Sequence, residues 1–397
     1  MRSFVSFLRE EAEQPEGEKL MHIEHLEDHP INDGKKGFEH AVGALEQAHQ
    51  HIIAGAHDST LTMKHDGSPS IVYGHHPETG KFFVASKSAF NKSPKINYSP
   101  KDIKNNHGHA PGLVEKLTHA LQHLPKVTPK QGVFQGDVLF SGKDKKTVGG
   151  ETKFTPNTIT YSADNTQDES KIKKAKFGVY THTEYVGKSA KGMTANYSPN
   201  LENFKDHPDV YHRTPGHDTS QVKMSGQQHL EYAQHLKAAN KIHEKHGDYM
   251  YDALENSGAY GSLRDHTKTY INSTVDTQEK PSVEGLQKHL ENKYTKQIDK
   301  VKNDVTKKKY QDELASHIKH TKMHRQNLEN VFSVHYHLQK TKDVLVHALS
   351  KHTGGLKHEI KSQPVKPEGF VINHEGRLSK LNDRNEFNRL NRLARAK

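Results

Sequence analysis

Four stretches of this chain carry residue types that could do covalent chemistry. In Lys64-His65-Asp66-Gly67-Ser68 a lysine stands between two β-like runs, STLTM before it and SIVYG after it. A lysine so placed is held at a strand end facing a cleft, where its amine is a nucleophile once deprotonated. The same residues read equally as an Asp-Gly hairpin turn with a solvated lysine. In Pro367-Glu368-Gly369-Phe370-Val371-Ile372 a carboxylate precedes an apolar strand, and Lys380 follows in Arg377-Leu378-Ser379-Lys380-Leu381. Joined by Asn373-His374-Glu375-Gly376, the two runs form a predicted hairpin that could aim Glu368 and Lys380 into one cleft. The plainer reading is a surface salt bridge worth at most about 1 kcal/mol. Val133-Phe134-Gln135-Gly136-Asp137-Val138-Leu139 reads as a buried strand with one acid, Asp137, which needs a partner because burying a lone charge is costly. Lys176-Phe177-Gly178-Val179-Tyr180 is an aromatic strand suited to core packing or to a stacking surface.

The elements that must position these residues follow from periodicity. Phe4, Phe7 and Leu8 put a short amphipathic helix over 2–13. Phe38, Ala41, Val42, Leu45, Ala48 and Ile52 place a helix over 36–54, closed by Gly55. From 59 to 186 short β-like runs alternate with turn residues, and a helix over 111–124 interrupts them. Residues 187–225 read as loops. From 226 to 352 the pattern is helical. Val283, Leu286, Leu290, Tyr294, Ile298, Val301 and Val305 form one stripe, and Leu328, Val331, Leu338, Leu345 and Leu349 another. After Thr353-Gly354-Gly355 β texture returns, and a basic, helical tail ends the chain. The expected fold class is α+β with antiparallel sheets and flanking helices, split by an all-α insertion. The expected divisions are 1–190, the helical 191–355, and 356–397.

Composition narrows the functions. The 397 residues contain no cysteine, which excludes disulfides, thiolate zinc sites and cysteine nucleophiles. Mean hydropathy is −0.95 and apolar residues are 31%, so the core must be lean. Fifty-eight Lys+Arg against 48 Asp+Glu give a formal charge of +10, which points to a polyanionic partner, nucleic acid first, or to general solubility. Between 282 and 323 ten lysines face six acids, including Lys307-Lys308-Lys309. No stretch approaches the ~18 apolar residues of a membrane span. The start lacks a signal-peptide apolar region, so a cytoplasmic, membrane-free monomer is expected. The close pairs His107/His109, His75/His76, His243/His246 and His335/His337 invite a metal reading, but 33 histidines make such pairs by composition alone.

In their order, these stretches resemble the covalent nucleotidyltransferase superfamily of polynucleotide ligases and capping enzymes. Lys64-His65-Asp66-Gly67 looks like its motif I, whose lysine takes the nucleotide, and Phe83-Val84-Ala85-Ser86-Lys87-Ser88 like motif Ia. Phe134-Gln135-Gly136-Asp137 resembles motif III, with Asp where Glu is commoner. Phe177-Gly178-Val179-Tyr180 resembles motif IIIa, whose aromatic packs on the base. Glu368-Gly369-Phe370-Val371-Ile372 closely matches motif IV, whose carboxylate serves the metal, and Lys380-Leu381 resembles motif V. The usual K-x-K there is incomplete, with Arg377 as a partial substitute. MHIEHLEDHPINDG at 21–34 and FTPNTITY at 154–161 look like phage-encoded members of this group.

The resemblance implies a ligase adenylation fold and an ATP-dependent polynucleotide ligase. Lys64 would form a lysyl-AMP that activates a 5′-phosphate for attack by a 3′-hydroxyl. It implies Lys64 and Lys380 as catalytic groups. His65, Asp66, Gly67, Lys87, Asp137, Tyr180 and Arg377 would contact the nucleotide, and Glu368 with Asp137 would hold Mg²⁺, or Mn²⁺ in its place. Only about 16 residues follow Leu381, too few for the OB barrel that many DNA ligases and capping enzymes carry there. This tilts the expected substrate to RNA ends over DNA nicks and makes the helical block a nucleic-acid clamp, in the host cytoplasm if the protein is phage-encoded. The competing readings are a DNA ligase, GTP transfer as in capping, and a non-catalytic nucleic-acid-binding protein on a decayed core.

Overall fold

The computed structural model describes residues 23–90, 95–186, 194–255, 262–277, 279–386 and 389. The helix expected over 2–13 lies outside them, as does most of the basic tail. The strands are β1 (Glu24–His25), β2 (Leu61–Lys64), β3 (Ser70–His75), β4 (Phe82–Ser86), β5 (Val133–Ser141), β6 (Lys145–Val148), β7 (Glu151–Phe154), β8 (Thr160–Ala163), β9 (Phe177–Val186), β10 (Thr194–Asn196), β11 (Val210–Arg213), β12 (Leu356–Ile360), β13 (Gln363–Pro364), β14 (Gly369–His374) and β15 (Arg377–Leu381). The helices are α1 (His29–Ala54), α2 (Pro100–His107), α3 (Pro111–His123), α4 (Thr166–Lys174), α5 (Gly226–His246), α6 (Asp252–Glu255), α7 (Arg264–Thr277), α8 (Val283–Lys300), α9 (Asp304–Met323) and α10 (Arg325–Leu349). This is the expected α+β class.

Three sheets make up the β part. The first runs β1-β15-β14-β2, the second β10-β9-β5-β3-β4 and the third β13-β12-β8-β7-β6. Their pairings are antiparallel, except that β1 lies parallel to β15 and β11 parallel to β9. In β2, buried Leu61 and Met63 alternate with half-exposed Thr62 and Lys64. The two-residue period therefore turns Lys64 away from the core.

Helix α1 buries Phe38, Ala41, Leu45, Ala48 and Ile52, as their spacing predicts, and Gly55 closes it at φ 61°, where a glycine carries no Cβ penalty. It begins earlier than expected, at His29, with a break at Gly34. The stripe from Val283 to Val305 is two helices. Asn303 caps α9 by accepting from the Val305 and Thr306 amides, and this local cap overrides the apolar period. Val305 is consequently 79% exposed.

Within 187–225, expected to be loops, β10 and β11 extend the second sheet from β9, and the helical segment begins at Gly226, where the sequence pattern places it. Nor do the helices stand apart. Leu338, Leu345 and Leu349 of α10 share one apolar core with α1, β2, β14 and β15. Buried ions tie the same elements together. Lys342 of α10 donates to Glu27 at 2.7 Å, both fully buried, and Arg384 donates to both Asp28 oxygens at 3.0 and 2.6 Å. Among the described residues no helix is long and apolar enough to cross a membrane.

Candidate functional site

Strand pairing assembles the site. β14 sets Gly369 opposite Lys64 of β2 and Val371 opposite Lys380 of β15. Glu368, one residue before Gly369, thus meets a lysine 304 positions away, and Lys64 Nζ donates to Glu368 Oε1. The glutamate side chain is 8% exposed and the lysine side chain 36%. Burial pushes the Glu368 carboxyl above its usual range, although the Lys64 charge and hydrogen bond pull against it. Its second oxygen, Oε2, is buried and has no hydrogen-bond partner. Lys380 is half-buried beside them. Burial first, then the Lys64 charge, lowers its pKa, while Glu368 opposes the shift.

Asp137 comes from the second sheet. It pairs across β3 with Ser70 and across β9 with Tyr180. Burial pushes its carboxyl up, but His182, Ser70 and Lys64 together hold it below the usual carboxylate range. His182 Nε2 lies 3.6 Å from Asp137 Oδ1. The sequence reading missed His182, although it stands two residues after Tyr180 and so on the same face of β9.

Gly67 makes the junction between sheets possible. A Cβ there would sit 2.6 Å from Asp137 Cβ, so only glycine lets the Lys64 loop approach β5. Backbone bonds lace this approach, Ser68 N to Val138 O at 2.9 Å and Val138 N to Pro69 O at 3.0 Å.

Four other expected nucleotide contacts have partners within the protein. His65 is 3% exposed and packs its ring among Tyr161, Tyr180 and His358, where burial drives its pKa well down. Asp66 turns away and accepts from Asn157 Nδ2, Thr158 N and Ile159 N at 2.9, 2.7 and 2.9 Å. The run FTPNTITY thus serves to anchor the lysine loop. Tyr180 is 4% exposed and gives its hydroxyl to Met63 O at 2.7 Å, so its ring is core rather than an open stacking surface. Arg377 sits three residues before Lys380, on the opposite face of β15, and bonds Glu24 and Asp33 at 3.1 and 2.6 Å. The side chain of Lys87 lies outside the described residues.

Metal-type ligands also converge elsewhere. Among the described residues, one ligand atom each from Glu24, His29 and Asp33 lie within 4.8 Å of one another. The Arg377 guanidinium already bridges the two carboxylates there, supplying the positive charge a metal would bring. The adjacent pair His335/His337 is split between partners, Asp28 at 3.0 Å and His235 at 3.0 Å.

A cavity of about 310 Å³ opens beside Glu368, lined by Lys340, Asp343, His347, Lys366 and Asp383 among others. Burial pushes the Asp343 carboxyl up to about 6. A carboxyl raised on folding costs stability above its folded value and nothing below its unfolded one. Asp343→Asn is therefore expected to stabilise the protein at pH 7.5, by on the order of 1–3 kcal/mol, with the gain vanishing toward pH 4. Urea unfolding at the two pH values measures this, and a gain that grows on acidification contradicts it.

Comparison with curated proteins finds no match. Comparison with solved structures finds none either. A family model does match, over residues 20–395, and so spans every element of the site. The chain belongs to that family, described as a family of unknown function (DUF6267).

Proposed function

We propose that the protein is an ATP-dependent polynucleotide ligase with an adenylation-type core, in which Lys64 carries AMP. The observation that supports this reading is the meeting of Lys64, Glu368 and Lys380, with Asp137 within reach of the Lys64 charge. Lysine Nζ attacks the α-phosphorus of ATP. An N–P bond forms, the P–O bond to pyrophosphate breaks, and the amine gives up a proton. Glu368 holds Nζ through Oε1 and is the nearest group able to take that proton. Lys380 faces the charge that develops on the phosphates. Transfer of AMP to a 5′-phosphate then breaks the N–P bond, and attack by a 3′-hydroxyl releases AMP and closes the phosphodiester.

The donor set fits a magnesium ion accompanying ATP, with manganese as a substitute. Glu368 Oε2 is a buried, unpartnered hard oxygen, and Asp137 is a second carboxylate near the same lysine. An ion held by them would neutralise charge on the phosphates.

Incubation with ATP labelled at the α-phosphate, with Mg²⁺, tests the reading. The expected result is covalent label on the protein that survives denaturation. Label from GTP in preference moves the assignment to capping-type transfer, and no label from any triphosphate leaves the non-catalytic reading. Joining assays across RNA, DNA and hybrid nicks then read the sugar, with RNA ends expected to join faster.

A further inference from the structure

A groove follows α10 away from the Lys64–Glu368 pair. Its halves are cavities of about 310 and 270 Å³ that share Lys340 and Asn385. Glu368 and Lys366 line the first half, and Lys280, Tyr336 and Gln339 the second. Lys280 Nζ stands 4.6 Å from the centre of the Tyr336 ring and Lys340 Nζ 5.8 Å from it. Lys280, Lys340 and Lys366 form no ion pair with any described carboxylate. The lysine triplet on α9 behaves otherwise. Lys307, Lys308 and Lys309 pair on their own helix with Asp304, Asp312 and Glu313 at 3.7, 3.4 and 3.9 Å. Each of these lysines thus has an acid of its own helix beside it, which the groove lysines lack.

Unpaired ammonium groups beside an aromatic face, in a groove lined by Glu368, the partner of Lys64, suit a single nucleic-acid strand. Lysines neutralise its phosphates without reading sequence, and the ring offers a face for stacking bases. We propose that the α10 groove holds the single-stranded polynucleotide end that meets Lys64, with Lys280, Lys340 and Lys366 on its phosphates and Tyr336 against a base. This rests on the ligase reading for the identity of the reacting end. Acids line both halves; Glu279 in the second accepts from Thr277 Oγ1 at 3.4 Å, and those of the Glu368 half have partners of their own. Glu386 pairs with Arg389 at 2.7 Å, Asp383 accepts from the Glu386 amide at 3.0 Å, and Asp343 lies 3.6 Å from the Lys342 ammonium.

The test is fluorescence anisotropy with 5′-phosphorylated, fluorescein-labelled single-stranded 12-mers, one RNA and one DNA. Lys280→Glu/Lys340→Glu and Tyr336→Ala should each weaken binding about tenfold or more, and the lysine pair should lower the salt slope by about two. Lys307→Glu/Lys308→Glu, the same change of charge at locally paired lysines, should bind as the parent does. Equal losses in groove and control variants would overturn the proposal, as would groove variants that bind like the parent, or a parent that binds neither 12-mer. Circular dichroism on each variant separates lost binding from lost folding, and Lys280→Ala/Lys340→Ala repeats the measurement with a milder change. The ATP label on the unaltered protein reads the ligase assignment separately. Label without groove dependence defeats the groove alone. Groove-dependent binding without label defeats the ligase assignment and leaves the strand track standing.

Discussion

Lys64→Ala is expected to carry no covalent label from ATP at all, because no other amine takes its place opposite Gly369. Partial losses should rank the surrounding groups. Glu368→Gln keeps the size of the side chain but removes the proton acceptor, a role worth about 10²–10⁴ in rate. Lys380→Ala removes a cation aimed at developing phosphate charge, at about 10²–10³, and Lys380→Arg should restore part of it. Arg377→Ala separates the geometric reading from the motif reading. Its guanidinium is committed to Glu24 and Asp33, so the rate of label formation should stay at the parental level. Single-turnover labelling by each variant measures the set. A normal rate for Glu368→Gln, or loss of label in Arg377→Ala, would contradict the geometry drawn here.

The second large effect concerns stability. Lys342→Met should destabilise the protein by about 3–5 kcal/mol, since breaking a buried pair leaves an uncompensated charge. Glu27 and Lys342 are both fully buried, and Arg384 stands 3.6 Å from the same glutamate, so some compensation survives. The double variant Glu27→Gln/Lys342→Met should recover part of the loss, because the buried Glu27 charge is then no longer stranded. Urea unfolding measures both, and a loss below about 1 kcal/mol in the single variant would contradict the argument. The acid limb follows from the same ions. Burial pushes Glu27 up, but Lys342 and Arg384 more than offset it and hold it down to about 2. A carboxyl lowered on folding contributes stability above its unfolded value and loses it as pH falls through its folded one. The contribution of Glu27 is thus complete above pH 4.5 and lost toward pH 2, and that slope should be absent in the double variant.

Much of the site was legible because its parts are local. The alternation in STLTMK fixes which face Lys64 takes, and the turn Glu375-Gly376 fixes the hairpin that carries Glu368 and Lys380. The helices were legible for the same reason, except where Asn303 capped a new helix inside a continuous apolar stripe. Tertiary partners decided the rest. His65 and Tyr180 sit in motif-like positions, yet strands more than a hundred residues away bury them. Asp66 looks like a nucleotide contact until the 157–159 amides bind it, and Arg377 looks like half of a basic pair until Glu24 and Asp33 hold it. The histidines show the same division. Several are core residues that burial keeps neutral, such as His65, His217 and His358, and nothing in their spacing says so.

By itself, then, the sequence determined the α+β texture, the strand faces and the strand-end positions of Lys64 and Glu368, since period, caps and turns act within a few residues. Only the tertiary structure decided which charges remain free to act. Whether a lysine or arginine is available depends on the acid beside it, and for Lys342 and Arg384 that acid lies more than three hundred positions away in the chain.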